Sequence, residues 1–449
     1  MLDAIAPFLL PTGLGRVLLR SAHFPDCRNL ASTFPASSLA TLATGTWPAQ
    51  HGIVADAWYD RATRAPVRSS PEVLLAGTLA AEAARPRMRT RAYVVGLDAW
   101  QAGLWAADSG VRQFWLSPRG VYATLGDPPD WLREFNAVNP IENRHNAKWS
   151  SPLAKAGAPA LRTLTFNPDR PSEFLELYKA SPLSQETQFA LAARLIEEEK
   201  LGTGDTLDLV TIVAGASSLL GYEVGANDPL MREMGLALDR QMAFLLERLE
   251  AAVGEGGFNL VLTGAHGVPA APSPAARPRM AVGGESVAAS VDKALQTAGL
   301  GRVARYLYPF VYLDHPPSKD ARTVREAAAH AALEHPAVAG FYTADGLCSV
   351  QDGWSERFRN SFHPRRSGDV MLSYREGYIE DYGAGRGVSY GSLYNYDARV
   401  PLCLYGASFR PGIFERPVQL VDVAPTLARV LGVAAPPSSV GRVLSEALA

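Results

Sequence analysis

Short β-rich runs alternate with longer amphipathic stretches along most of this chain, and a sheet covered by crossover helices is the architecture that accommodates such an order. Candidate strands fall at 91–97, 208–213, 258–263, 370–373 and 400–405. Between them, Leu238, Met242, Leu245 and Leu249 recur at helical spacing, so the segment 228–253 should bury one stripe, with Asp228 as N-cap and Pro229 in the first turn. Leu191, Leu195 and Ile196 mark a second amphipathic helix that stops near Gly202. The reading is an α/β fold with a mostly parallel central sheet and helices on both faces.

Two stretches break the rhythm. Residues 126–183 are rich in Pro, Asn and Trp with little periodicity, which reads as a loop-rich cap over the sheet's edge. Residues 268–280 form a Pro/Ala/Arg linker, followed by helix, strand (306–313), helix (321–334) and strand (338–342), the order of a small α+β insertion. The chain therefore divides into a first core part (1–125), the cap (126–183), a second core part (184–267), linker and insertion (268–365) and a third core part (366–449).

Composition narrows the partners. A net charge of -2 leaves no basic footprint for nucleic acid. Cys27, Cys348 and Cys403 are far apart and without CxxC spacing, which argues for buried free thiols over a disulfide framework or thiolate metal site. Residues 1–21 lack a basic n-region and are interrupted by Pro7 and Pro11, and no window reaches the roughly 18 apolar residues of a membrane span. The expectation is a cytoplasmic protein that engages neither membrane nor nucleic acid.

The chemistry centres on Val261-Leu262-Thr263-Gly264-Ala265-His266-Gly267, an apolar strand ending in a Gly-rich turn with one histidine. A metallohydrolase would place a carboxylate beside that histidine, and Ala265 has no donor atom. His266 is either a residual ligand or proton donor, or a turn residue satisfied by backbone hydrogen bonds. Ser37 and Ser38 are nucleophiles only with a base nearby, and otherwise N-caps. Asp56 and Asp98 could pair as an acid/base site or be ordinary loop carboxylates. Arg365 and Arg366 could bind an anion or pair with Asp369, and His51 belongs to a tight turn.

Four segments carry a resemblance: Phe34-Pro35 through Thr44-Gly45 with His51-Gly52-Ile53 and Trp58-Tyr59-Asp60; Asp208 through Gly221; Thr263 to Gly267; and Arg366 to Asp369 with Tyr390-Gly391-Ser392-Leu393-Tyr394. Together they resemble the alkaline phosphatase superfamily, in its type I phosphodiesterase/nucleotide pyrophosphatase branch, and most closely the phosphate-irrepressible alkaline phosphatases with a single Thr nucleophile. The resemblance implies two zinc ions about 4 Å apart, held by Asp and His side chains. This chain departs from that pattern. Ser218 and Tyr222 stand at an Asp and a His position, Ala265 at an Asp position and Tyr390 at the last His position. The opening strand with its Asp ligand has no counterpart ahead of the helix read at 13–19, and His266 is the ligand-type residue retained.

The nucleophile region departs too. Ser38 takes the Thr register, and roughly one helical turn is missing before Thr44. Asp56 replaces a phosphate-contacting Asn, and Asp98-Ala99-Trp100 replaces the cationic Lys-Asp-Arg run. The resemblance thus implies a vacated cleft formed by Asp56, Asp98, Trp100, Ser218, Tyr222, Ala265, His266 and Tyr390, with the two tyrosines filling the metals' volume and donating hydroxyls to Ser218 or an Asp neighbour. The expected function is a binding or regulatory pseudoenzyme for an unidentified small molecule or protein, with no cofactor. The alternatives are a zinc-dependent phosphoester hydrolase with non-standard ligands such as Asp56, Asp98 and His266, and a structural or assembly scaffold.

Overall fold

The computed structural model describes residues 5–449 except 89, 108–109, 152, 156, 350–352 and 384–386. The strands that matter are β1 (Ala22–Arg28), β2 (Ala92–Gly96), β3 (Arg112–Leu116), β4 (Tyr122–Thr124), β5 (Leu209–Val213), β6 (Asn259–Thr263), β7 (Arg302–Leu307), β8 (Phe310–Asp314), β9 (Val338–Thr343), β10 (Val370–Tyr374) and β11 (Arg399–Gly406). The principal helices are α1 (Leu14–Arg20), α2 (Pro35–Thr44), α3 (Ala99–Ala106), α4 (Asp130–Val138), α5 (Pro171–Lys179), α6 (Pro182–Glu198), α7 (Ala216–Val224), α8 (Pro229–Val253), α9 (Gly284–Thr297) and α10 (Ala321–Leu333).

The fold is α/β. One ladder runs β4-β3-β2-β5, with β2 parallel to both β3 and β5. A second runs β6-β11-β1, where β11 is antiparallel to both neighbours. Side chains from the two ladders enter the same two cores. Val94, Leu209, Val261 and Leu404 face one apolar cluster, while Val95, Val210, Ile212, Leu260, Leu262 and Cys403 face the other. The ladders are therefore coplanar parts of one helix-covered sheet.

Helix α8 follows its sequence signals. Asp228 accepts the amide of Leu230, Pro229 sits in the first turn, and Met242 and Leu245 are buried. Helix α1 lies along α8, and the amides of Leu10 and Leu14 donate to the Asp239 carboxylate at 2.7 Å each.

Several expectations need correction. The apolar run at 370–373 is a strand, but β10 pairs with β8 and β9 in the insertion sheet, because an apolar run buried on both faces does not encode its partner. The single strand read at 306–313 is a hairpin, β7 and β8, turning at Tyr308-Pro309. The cap contains more regular structure than its composition implied: α4 buries Trp131, Leu132 and Phe135, and α5 buries Phe174 and Tyr178. Strand β1 escaped the sequence reading because Pro25 and Asp26 interrupt its apolar alternation. Ser37 and Ser38 are not N-caps, since Phe34 holds that position and Pro35 starts α2 one turn earlier.

Candidate functional site

The loops at the carboxyl ends of β5 and β6 meet. Ser218, in the first turn of α7, and His266, just past β6, approach to 3.1 Å between Oγ and Nε2. His266 Nδ1 lies 2.7 Å from the Gly267 carbonyl oxygen, which can only accept. The proton therefore sits on Nδ1, and Nε2 accepts the Ser218 hydroxyl. Burial disfavours the imidazolium and lowers the His266 pKa, so the neutral tautomer is the resting form.

Tyr390 packs on this pair. Its ring centroid is 4.4 Å from that of His266, and its hydroxyl donates to the Ser218 carbonyl at 2.6 Å. Tyr222 stacks obliquely on Tyr390 at 6.1 Å but stays 39% exposed, so it does not plug the cleft as expected. Gly221 has no room for a side chain, because a Cβ there would stand 2.8 Å from the Tyr390 hydroxyl.

Asp56 faces the same cleft: burial raises the hydroxyl pKa values of Tyr222 and Tyr390, and the Asp56 charge adds to that rise. Its Oδ1 accepts the Ala36 amide at 3.0 Å, in the first turn of α2. A carboxylate thus takes up a free amide at the helix end that attracts anions. Asp56 is exposed to solvent, and the desolvation that its protein neighbours still impose raises its pKa against the opposing pull of the Ala36 amide.

Asp98 does not pair with Asp56. It forms an ion pair with Lys179 at the end of α5, a residue 81 positions away that no local signal nominated. Gln101, in the first turn of α3 after Asp98, lies against Gly215 at the start of α7. Trp100 and Ala265 are each half-buried against the same apolar core. Ser38 is fully buried inside α2, its Oγ accepting from Asn29 Nδ2 at 3.1 Å. His51 is buried, between the Thr41 hydroxyl and the Ile53 amide. Arg366 donates to the Gly52 carbonyl and lies over Trp58, leaving Asp369 to Arg61 and Arg325. Two cavities of about 240 and 330 Å³ lie away from this cleft, one beside Asn143 and Tyr178, the other beside Thr90 and Arg112.

The sequence pattern of the type I phosphodiesterase / nucleotide pyrophosphatase family matches residues 10–390. The chain belongs to that family. It is 22% identical to alkaline phosphatase PafA of Elizabethkingia meningoseptica over 93% of this chain and 86% of that protein. It is 26% identical to alkaline phosphatase PhoD of Zymomonas mobilis over 89% of this chain and 78% of the relative. The fold matches a crystal structure of wild-type PafA with a TM-score of 0.87 at 20% identity, covering 100% of this chain and 96% of that one.

A zinc ion would want three or four ligands, and among the described residues no group of three or more His, Cys, Asp or Glu is placed to hold a metal ion. Both nitrogens of His266, the retained ligand-type residue, are already engaged within the protein.

Proposed function

We propose that this family member is a non-catalytic binding or regulatory protein, in which the phosphotransfer cleft has become a self-satisfied recognition surface. One observation carries the reading: two elements suited to receive a phosphate, the amino end of α2 and Lys179, are both neutralised from within, by Asp56 and Asp98. A phosphate dianion would have to displace or protonate those carboxylates. With both groups taken up internally, the developing charge of phosphoryl transfer, which can require up to about 10²¹-fold acceleration, loses two of the groups that could stabilise it.

The test is elemental analysis of the purified chain with a screen of phosphomonoesters, phosphodiesters and sulfate esters. Substoichiometric zinc and no turnover are expected. Stoichiometric zinc with turnover that His266→Ala abolishes would establish the metallohydrolase reading instead.

A second reading rests on the Ser218–His266 pair, because a hydroxyl donating to a neutral imidazole is the arrangement of an activated nucleophile. Its third member is the Gly267 carbonyl instead of a carboxylate. A fluorophosphonate probe distinguishes the two: covalent labelling of Ser218 that His266→Ala removes would favour metal-independent ester cleavage and displace the non-catalytic reading.

A further inference from the structure

The cavity of about 240 Å³ in the cap is built from two surfaces that the sequence keeps apart. Asn139, Asn143 and Arg144 line it from the turn after α4, while Tyr178 at the end of α5 and Thr187 on α6 line it from the other side. The turn is tied to its surroundings. His145 stacks on Phe166 with ring centroids 3.6 Å apart and meets Phe174 of α5 edge-on at 4.6 Å, and the Asn146 amide donates to the Leu164 carbonyl at 2.8 Å. Arg144, next to His145, stands half-buried at the cavity wall.

The hydrogen-bonding groups around the cavity are unevenly used. The Tyr178 hydroxyl donates to Thr187 Oγ1 at 2.9 Å, and the Thr187 hydroxyl donates in turn to the Leu183 carbonyl at 3.0 Å. Both protons are committed while lone pairs on both oxygens remain, so toward the cavity these hydroxyls can only accept. Arg144 is their opposite: its guanidinium can only donate, and among the described residues it makes no hydrogen bond or ion pair. Burial raises the Tyr178 pKa, the Thr187 bond and the Arg144 charge oppose that rise, and Glu186 adds to it. A cation and a carboxylate, neither of them ion-paired, therefore both lie within reach of the Tyr178 hydroxyl. Tyr122 is buried beside it, and among the described residues its hydroxyl has no hydrogen-bond partner. An unsatisfied buried hydroxyl next to a polar cavity is one that a bound molecule or water would satisfy.

We propose that this cavity binds a small carboxylate bearing a hydroxyl or ammonium group on the adjacent carbon, with the carboxylate on Arg144 and the adjacent donor on Tyr178 and Thr187. The planar guanidinium matches a carboxylate through two parallel bonds. Two hydroxyls that can only accept select for a donor, because an acid with an apolar chain would cover their lone pairs without pairing them. The site is separate from the cleft, although Lys179, the residue after Tyr178, holds Asp98 there. The inference goes beyond the proposed function and does not depend on it, since neither zinc nor ester turnover enters.

Calorimetry on the intact chain tests it, with L-lactate and L-alanine as probes and propionate as the control that keeps the carbon chain and lacks the donor. One or both probes should bind with a Kd of about 1 mM or tighter, and propionate at least tenfold more weakly. The tighter probe identifies the donor: L-alanine the ammonium, with Glu186 as its countercharge, and L-lactate the hydroxyl. Arg144→Gln should weaken that probe at least tenfold, and Tyr178→Phe should narrow its advantage over propionate, both with native circular dichroism. Asp56→Asn, which alters the cleft, should leave its affinity unchanged. Absence of binding by both probes, equal binding of propionate, or full affinity in Arg144→Gln would overturn the proposal. An undiminished advantage over propionate in Tyr178→Phe would overturn the role of that hydroxyl, and altered affinity in Asp56→Asn would move the binding to the cleft.

Discussion

Tyr390 donates its hydroxyl to the backbone carbonyl of Ser218 at 2.6 Å, tying the third core segment to the first turn of α7. That bond fixes the Ser218 loop against His266, and it is buried, with Tyr390 only 5% exposed. Tyr390→Phe should therefore cost about 1–2 kcal/mol of stability in urea unfolding, without a cavity to add to it. In the same variant, nitrogen NMR should still find His266 protonated on Nδ1 and titrating below the ordinary histidine range, because burial and the Gly267 carbonyl set that state. A His266 pKa at or above 6.5 in the wild-type chain would contradict the geometry.

The self-neutralised cleft makes a prediction about anions. Asp98→Asn frees Lys179, and Asp56→Asn removes the charge facing the amino end of α2. Each change should tighten inorganic phosphate binding by about tenfold, equivalent to about 1.4 kcal/mol, measured by calorimetry at low salt. Unchanged affinity in both variants would mean that these carboxylates do not guard the cleft.

Asp397 supplies a pH dependence. It is fully buried, its Oδ1 has no hydrogen-bond partner among the described residues, and its Oδ2 accepts a long 3.3 Å bond from the Ser392 amide. Desolvation pushes its pKa up to about 7. With the folded pKa raised above the unfolded one, folding binds a proton. The contribution is fully present below about pH 4 and is lost as pH rises through 7. Asp397→Asn should therefore stabilise the chain by about 2–4 kcal/mol more at pH 8 than at pH 4. His51 acts in the opposite sense. Burial depresses its pKa to about 3, so its contribution is present above about pH 6.5 and lost as pH falls toward 3. Thermal unfolding between pH 4 and pH 8 reads the Asp397 effect as a difference between the variant and the wild type.

Asp369 joins the insertion to the core. It accepts from Arg61 and from Arg325 at 3.0 Å each, and from the Leu313 amide at 2.9 Å, while its side chain is 9% exposed. Asp369→Ala leaves two guanidinium groups without their shared carboxylate and should cost about 3–5 kcal/mol in thermal unfolding. Asp345, which pairs with Arg325 at 2.9 Å, retains one of those cations, so the loss should fall toward the lower figure. A change below about 1 kcal/mol would show that the insertion does not depend on this junction.

Much of this protein was legible in one dimension. The apolar runs that become β2, β5, β6 and β11, the capped helix α8 and the altered ligand positions around His266 are all local patterns, because side-chain periodicity and turn chemistry act over a few residues. Hydrogen-bond partners are chosen across the chain, and those only the tertiary structure decided. Lys179 reaches Asp98 across 81 positions, Asp56 finds the Ala36 amide through the packing of α2, and β10 joins the insertion rather than the central sheet.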